Sequence, residues 1–416
     1  MPLQFISLLG LVVLIALAWA GSLNRKKFPW RTVIWGLVLQ FAFALFILQT
    51  KLGGGVFFFA QRSIAKLNDF ANEGAAMVFG PLANGSLLAE KFGPKHGFIF
   101  AVTVSATIIV ISSLSTLFYH WGILQRVVHG MAWVMRKAMG TSGSESLAAA
   151  ANIFMGQTEA ALIIKPYIPH MTESELMALM TAGMATIATG VMAVYGSAAM
   201  GIDAGHLLTA SVLSAPAALL ISKIMLPETK SSETAATQSA SVARDTTNSI
   251  DALCRGASEG VALAINVLAM LIAFVAAVAL ANFLLSWAQR KCGVADPVTF
   301  QNLLGWANWP FAWLMGVPAK DCGIVGQALG ERIVLNEYFG YFSIAQHKDV
   351  LDPRSYTLAT YALCGFANFA SIAIQIGGIG ILAPNRRADL ARLGLRAMIA
   401  GLLACYLTAT VVGILL

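Results

Sequence analysis

Charge is what this chain has least of. Only 11% of its 416 residues are Asp, Glu, Lys or Arg, against roughly a quarter in an average globular chain. So few charges cannot cover the surface of a water-soluble protein of this length. The five cysteines, Cys254, Cys292, Cys322, Cys364 and Cys405, form no CxxC pair, and three lie in or beside apolar runs. They read as packing residues rather than a disulfide framework or a metal site. No HExxH or Walker sequence occurs, and the GxSxG spelling at Gly256-Ala257-Ser258-Glu259-Gly260 follows a polar stretch rather than a strand and makes no nucleophile elbow, so the common metalloprotease, esterase and nucleotide-hydrolysing designs drop out. The six histidines are scattered at or near the ends of apolar runs and form no metal-ligand constellation. What fills the chain is apolar: 58% hydrophobic residues and a mean hydropathy of +0.73 point to lipid as the solvent. The net charge of +7 sits on basic residues between apolar runs. That pattern orients a membrane protein and does not build a nucleic-acid face, so no nucleic-acid partner is expected.

Crossing a hydrocarbon core takes about 20 apolar residues. Runs that satisfy this are Leu3–Ala20, 32–48, 97–119, 175–200, 204–226, 261–285, 356–382 and 398–416. The first has no basic residues before it; its basic cluster follows, so a retained span is expected rather than a signal peptide. Eight spans put both termini on one side. Most of the 27 lysines and arginines, including Arg25, Lys26, Lys27 and Arg31, and Arg386, Arg387, Arg392 and Arg396, fall in one alternate set of loops. By the positive-inside rule these loops face the cytoplasm and both termini face the periplasm of a bacterial inner membrane. Residues 56–73 set Phe59, Ser63, Leu67 and Phe70 opposite Arg62, Lys66, Asp69 and Glu73. That suits a helix in the membrane interface, or one packed across other helices. The polar, Ser/Thr/Ala-rich stretch 228–249 reads as a flexible cytoplasmic linker between two halves.

Two apolar stretches are interrupted midway. In 144–169, Gly156-Gln157-Thr158-Glu159 falls at the centre, where a lipid-facing carboxylate would cost several kcal/mol. Two short helices meeting at a tip near Gly156 resolve this. In 300–341, Gly316-Val317-Pro318, Asp321, Gly323 and Asn336-Glu337 break a stretch too long for one span, which reads as a second re-entrant hairpin entering from the opposite face. Each hairpin precedes a span with a hydroxyl-Ile-Ala signature, Thr186-Ile187-Ala188 and Ser371-Ile372-Ala373. Hairpin, broken span, span, stated twice, is the order of an inverted repeat whose substrate sits near the midplane. Half-helix ends there offer free N–H and C=O groups, which suit a polar solute and a cation.

GQTEAALIIKPYI (156–168), NEY (336–338) and GFANFASIAI (365–374), followed by GGIG (377–380) and APNRR (383–387), closely resemble the concentrative nucleoside transporter family. The resemblance runs over about residues 3 to 416. It implies an all-α polytopic membrane protein with eight transmembrane helices and two re-entrant hairpins. It also implies a homotrimeric sodium–nucleoside symporter of elevator type. Scaffold spans would then lie in 1–140 and 251–290, and transport-domain repeats in 141–227 and 291–416, with the linker at 228–250. The family pattern further implies that Gln157, Thr158 and Glu159 read the base, with Val191 against it. Glu337, Asn368 and Ser371 would hold the ribose, and Phe366 and Leu263 would form apolar walls. Asn152, Thr186 and the carbonyls of Met155 and Ile187 would bind sodium. No other cofactor is implied; the expected partners are a uridine-like nucleoside, sodium and membrane lipid.

Four positions depart from the family's usual residues: Ala161 for Pro, Lys165 for Arg, Thr186 for Ser and Tyr338 for Phe. None removes a polar ligand. Three other functions stay open beside sodium symport. Protons could drive the same solute, through Glu159 or Glu337; an intramembrane enzyme would lack the catalytic motifs named above; a channel would not need two broken hairpins. Asn368 and Ser371, three apart, would share one helical face, and Gln375 would lie on it too, whether as ligand or as packing. Asp203 and Asp321 have no assignment from the sequence.

Overall fold

The computed structural model describes residues 2–93, 99–196, 201–234 and 246–416, and among these every regular element is helical. The first part of the chain gives α1 (Leu3–Ala20), α2 (Trp30–Gln49), α3 (Lys51–Phe79), α4 (Gly85–Phe92), α5 (Phe100–His120) and α6 (Ile123–Met139). Next come α7 (Gly143–Asn152), α8 (Glu159–Ile163), α9 (Glu173–Ala185), α10 (Thr189–Tyr195) and α11 (Ala204–Met225). A 43-residue helix, α12 (Ser249–Lys291), leads to α13 (Phe300–Leu314), α14 (Cys322–Val334) and α15 (Glu337–Gln346). The chain closes with α16 (Pro353–Leu363), α17 (Phe369–Leu382) and α18 (Arg387–Leu415). Among the described residues five helices are long and apolar enough to cross a membrane: α1, α2, α5, α11 and the helix ending in α18. Two further expected spans are each divided, into α9 and α10 and into α16 and α17, and 261–285 lies inside α12. The ends of the expected spans at 97–98 and 197–200, and residues 235–245 of the linker, lie outside the described residues.

Local chemistry sets the boundaries. Ser142 and Glu145 close a capping box at the start of α7, and Thr172 and Glu175 do so at α9. Asp352 caps α16, whose first residue is Pro353, the helical position that tolerates proline. Asn368 caps α17 by accepting the Ser371 N–H at 2.9 Å. Asp203, unassigned from the sequence, caps α11. Asp321 accepts from the Ser355 hydroxyl at 2.6 Å and the Asp352 N–H at 3.1 Å, tying the start of α14 to that of α16. α3 packs against α2, α5 and α11, and Asn68 on it donates to the Ala193 carbonyl.

The packing repeats between the halves. α7 lies against α6, α8 and α9, as α14 lies against α13, α15 and α16. α9 packs on both α11 and α18, and so does α16; α10 rests on α11 as α17 rests on α18. α11 and α18 also pack on each other, and are deeply buried where only about a third of α1, α2 and α5 is. The buried core is therefore built from α7–α11 and α14–α18, with the early helices and α12 around it.

Two expectations need correction. The second hairpin is not 300–341: α13 is a separate helix with its own Thr299–Asn302 capping box, and the hairpin is α14–α15, turning at Leu335-Asn336 and running to Gln346. Gly316-Val317-Pro318, expected to interrupt the hairpin, instead joins α13 to it. The two hydroxyl-Ile-Ala signatures are not equivalent either. Thr186 lies in the extended break after α9 (φ −126°, ψ 166°), whereas Ser371 is in the first turn of α17.

Candidate functional site

The breaks after α9 and α16 cross. The Phe366 N–H donates to the Thr186 carbonyl at 3.3 Å, joining the two repeats through unwound backbone. The approach is close because Gly365 has no side chain; a Cβ there would stand 2.8 Å from the Met184 carbonyl oxygen and 2.6 Å from Cys405 Sγ. Cys405 on α18 donates to the Ala185 carbonyl at 3.6 Å and the Cys364 carbonyl at 3.5 Å, so one thiol serves the ends of both half-helices. Buried backbone needs such partners where a helix stops.

Both hairpin tips reach this crossing. From the first, Gln157 Nε2 donates to Ser371 Oγ at 3.3 Å, and Gln157 Oε1 accepts from Gln375 Nε2 at 3.0 Å. Gln375 also donates to the Met180 carbonyl at 3.0 Å. Gly183 makes room for the pair: a Cβ would meet Gln375 Nε2 at 2.7 Å and Gln157 Cβ at 2.9 Å. Glu159 turns back on its own tip and accepts from the Gly156 N–H, not from the exposed Lys165. Thr158 packs where a Cβ on Gly378 would lie, 2.4 Å from its methyl carbon. From the second tip, Glu337 is the first residue of α15 and 5% exposed, so it is not a surface acid. Its Oε1 accepts from the Tyr195 hydroxyl at 2.7 Å and its Oε2 from Asn368 Nδ2 at 3.3 Å. A carboxylate at a helix N-terminus is favoured by the backbone dipoles there.

Gln157, Glu337, Asn368 and Ser371 thus form one hydrogen-bonded group. Asn368 and Ser371 do not share a helical face as expected; Asn368 precedes the helix and reaches Ser371 by capping it. Ser371 and Gln375 do share one. Val191, Leu263 and Phe366 are half-buried apolar residues on α10, on α12 and in the break after α16. Tyr195 was missed by sequence reasoning, although it lies four residues from Val191 on the same helix, which is a same-face spacing.

The residues implied for sodium lie at the first tip, Asn152 and Met155, and in the break after α9, Thr186 and Ile187. Asn152, the last residue of α7, is fully buried; its Nδ2 donates to the Ala148 carbonyl at 2.9 Å while its Oδ1 has no partner. A buried acceptor without a donor is costly, and an oxygen so placed fits a cation. Thr186 Oγ1 donates to the Ala182 carbonyl at 2.9 Å, leaving its oxygen free to accept. Met155 and Ile187 sit in the two adjoining unwound segments, which are tied by the Thr189 hydroxyl donating to the Phe154 carbonyl at 2.6 Å.

A second polar cluster anchors the far end of the same hairpin. Lys223 Nζ, on α11, lies 2.6 Å from Glu145 and 2.9 Å from Ser174, and Glu175 accepts from Ser232 and Thr234 at 2.6 and 2.5 Å. Glu145, Glu175, Lys223 and Ser232 line a cavity of about 260 Å³ that also touches Lys27, Phe28 and Thr32. Arg386, from the APNRR motif, donates to the carbonyls of Ile168, Pro169 and Met171, holding the end of the first hairpin beside the end of α17.

Broken helices crossing inside a helical core, with a polar group between them, define a membrane transporter in architecture. Residues 206–413 match the family described as Na+ dependent nucleoside transporter C-terminus, 9–82 the corresponding N-terminus and 101–201 nucleoside recognition. An uncharacterized transporter of Haemophilus influenzae is 43% identical over 98% of this chain and 97% of its own. Sodium/nucleoside cotransporter 1 of Rattus norvegicus is 37% identical over the whole chain, which spans 64% of that longer protein. The solved structure of CNTnw in an inward-facing substrate-bound state superposes with a TM-score of 0.93 at 38% identity, covering 99% of this chain and 97% of that one. A CNTnw variant in an outward-facing state gives 0.92 at 37% identity over 100% of this chain and 98% of that one. The chain belongs to the concentrative nucleoside transporter family, and its relatives are transporters, not enzymes.

Proposed function

We propose that the chain is a sodium-coupled symporter that imports nucleosides across a bacterial inner membrane by alternating access. The observation that carries this is the crossing itself. Two hairpin tips and two helix breaks bring Gln157, Glu337, Asn368 and Ser371 into one buried group, beside a tip where Asn152 Oδ1 lacks a donor. In this reading Gln157, Thr158 and Glu159 face the base with Val191, and Glu337, Asn368 and Ser371 take ribose hydroxyls. Phe366 and Leu263 close the walls. Asn152, Thr186 and the carbonyls of Met155 and Ile187 hold sodium, which travels as a second substrate. Tyr195 positions the Glu337 carboxylate.

The buried unit α7–α11 with α14–α18 would be the moving body of an elevator, and the early spans with α12 its scaffold. Large apolar side chains exposed on α12, such as Ile272, Leu280 and Phe283, suit lipid contact and a trimer of scaffolds. Both termini would lie on the periplasmic side. Purified protein in liposomes should accumulate labelled uridine under an inward sodium gradient and not without one. Accumulation on a proton gradient alone would keep the pocket and overturn the ion site. No nucleoside uptake under any gradient would overturn the proposal.

A further inference from the structure

Arg332 stands in the last turn of α14 and is 0% exposed, the largest fully buried side chain among the described residues. Buried arginine is rare without a carboxylate beside it, yet among the described residues the guanidinium makes no direct ion pair, and its Nε and Nη2 have no hydrogen-bond acceptor in range. Its Nη1 donates to the Ala362 carbonyl at 2.5 Å, its carbon lies 5.3 Å from the Tyr406 ring centroid, and Cys405, Tyr406 and the Glu337 carboxylate lie within reach of its charge. Ala362 is in the last turn of α16, the half-helix that stops at the second break. The cation is therefore spent on the negative end of a truncated helix.

The repeated packing says what that place is. α14 corresponds to α7 and α16 to α9. In the first repeat the last turn of α7 carries Asn152, whose Oδ1 has no donor, beside the break that ends α9. In the second, the last turn of α14 carries Arg332, and the break that ends α16 already has a cation on it. Cys405 bridges the two ends through the Ala185 and Cys364 carbonyls, so the two places adjoin.

We propose that the Arg332 guanidinium is a built-in cation that takes, in the second repeat, the place that sodium takes in the first. The chain then needs one coupling ion and not two. This rests on the sodium reading of the first tip. Arg332→Lys keeps the charge; Arg332→Ala removes it and opens space beside the Ala362 carbonyl for a mobile cation.

The test compares wild type with both variants, as purified protein melted in sodium chloride or choline chloride and as uptake against sodium concentration in liposomes. Wild type and Arg332→Lys should show one sodium-dependent rise in melting temperature and a Hill coefficient near one. Arg332→Ala should melt lower in choline, gain at least twice the wild-type rise in sodium, and show a Hill coefficient moving toward two. If it does not fold, Arg332→Gln replaces it in the melting comparison. The same sodium response in charged and neutral variants overturns the proposal, as does a steepened response in Arg332→Lys. Wild type without any sodium response would sink the first-tip assignment; a response that then appears only on loss of Arg332 would still support the resident cation, and its absence from every variant would overturn that too.

Discussion

Replacing Glu337 with Gln tests the ribose assignment with a magnitude that the hydrogen bonds fix. The carboxylate already accepts from Tyr195 on one oxygen and Asn368 on the other. Asn368 cannot rotate its amide, because its Oδ1 caps the Ser371 N–H. A glutamine must therefore point its oxygen at Asn368 and its NH2 at Tyr195, whose hydroxyl can turn and accept. One of two acceptors for the ribose is lost, and the other loses its charge. A hydrogen bond to a charged group contributes about 1.5–3 kcal/mol, and a neutral one about half. Together these come to about 2–4 kcal/mol, a loss of affinity of about 30- to 1,000-fold for a nucleoside. The free base should lose less than about threefold, since it brings no hydroxyl to that carboxylate. Equilibrium binding to purified protein would be measured for uridine, a deoxyribose analogue and uracil. Removal of the hydroxyl and of the carboxylate should be non-additive, because both delete the same contact. Equal losses for nucleoside and free base, or additive losses in the cycle, would refute the reasoning.

Thr186→Ala removes one neutral oxygen from the break after α9 and should raise the sodium concentration for half-maximal uptake about 3- to 10-fold; an unchanged sodium response would remove Thr186 from the ion site. Gly183→Ala places a methyl 2.9 Å from Gln157 Cβ, and should cut nucleoside affinity at least about tenfold by displacing that side chain; wild-type binding would show that the tip yields without losing the base contact. Lys223→Met leaves Glu145 buried, 2% exposed, without its counter-charge. That should cost about 3–5 kcal/mol of stability and lower the melting temperature in detergent, whereas a melting temperature at or above wild type would mean that the pair does not hold the hairpin.

Much of this was legible in the sequence because the rule that writes it is local. A Gly-Gln-Thr-Glu run cannot sit in a lipid-facing helix, so a tip at Gly156 followed from solvation cost alone. The place of α13 was not legible, since an apolar helix before a hairpin and the first arm of a hairpin have the same composition; only the repeated packing, in which α14 and α15 take the places of α7 and α8, separates them. Asn368 and Ser371 were paired for a reason that failed, same-face spacing, and are paired in fact by a cap. Both geometries put polar residues three apart, so spacing could not choose. Tyr195 and Gln375 act through partners more than 140 residues away, and a tyrosine or glutamine in an apolar helix carries no mark of what it will meet. Arg332 was not singled out by the sequence, since its target is a backbone carbonyl, which every residue has.

The crossing also constrains how ion and solute must influence each other. The Thr186 backbone is hydrogen-bonded to Phe366, two residues before Asn368, and the tip that bears Asn152 continues into Gln157. On the proposed assignment, sodium on the first tip would order the same segment that would read the base, and a bound nucleoside would fix the segment that offers sodium its ligands. Linkage requires the two effects to be equal: if sodium raises nucleoside affinity by some factor, nucleoside raises sodium affinity by that factor. A coupling free energy of about 1–3 kcal/mol, 5- to 150-fold, is the usual range. Titrating nucleoside at several fixed sodium concentrations, and sodium at several fixed nucleoside concentrations, should return one value from both directions. Two different values at constant pH would mean that one of the titrations had not reached equilibrium, since linkage holds at fixed activity of every other ligand. The carboxylates of Glu159 and Glu337 could take a proton there, so the titrations are repeated at a second pH: a coupling energy that changes with pH means that a proton exchanges on binding, and sodium would no longer be the sole coupling ion.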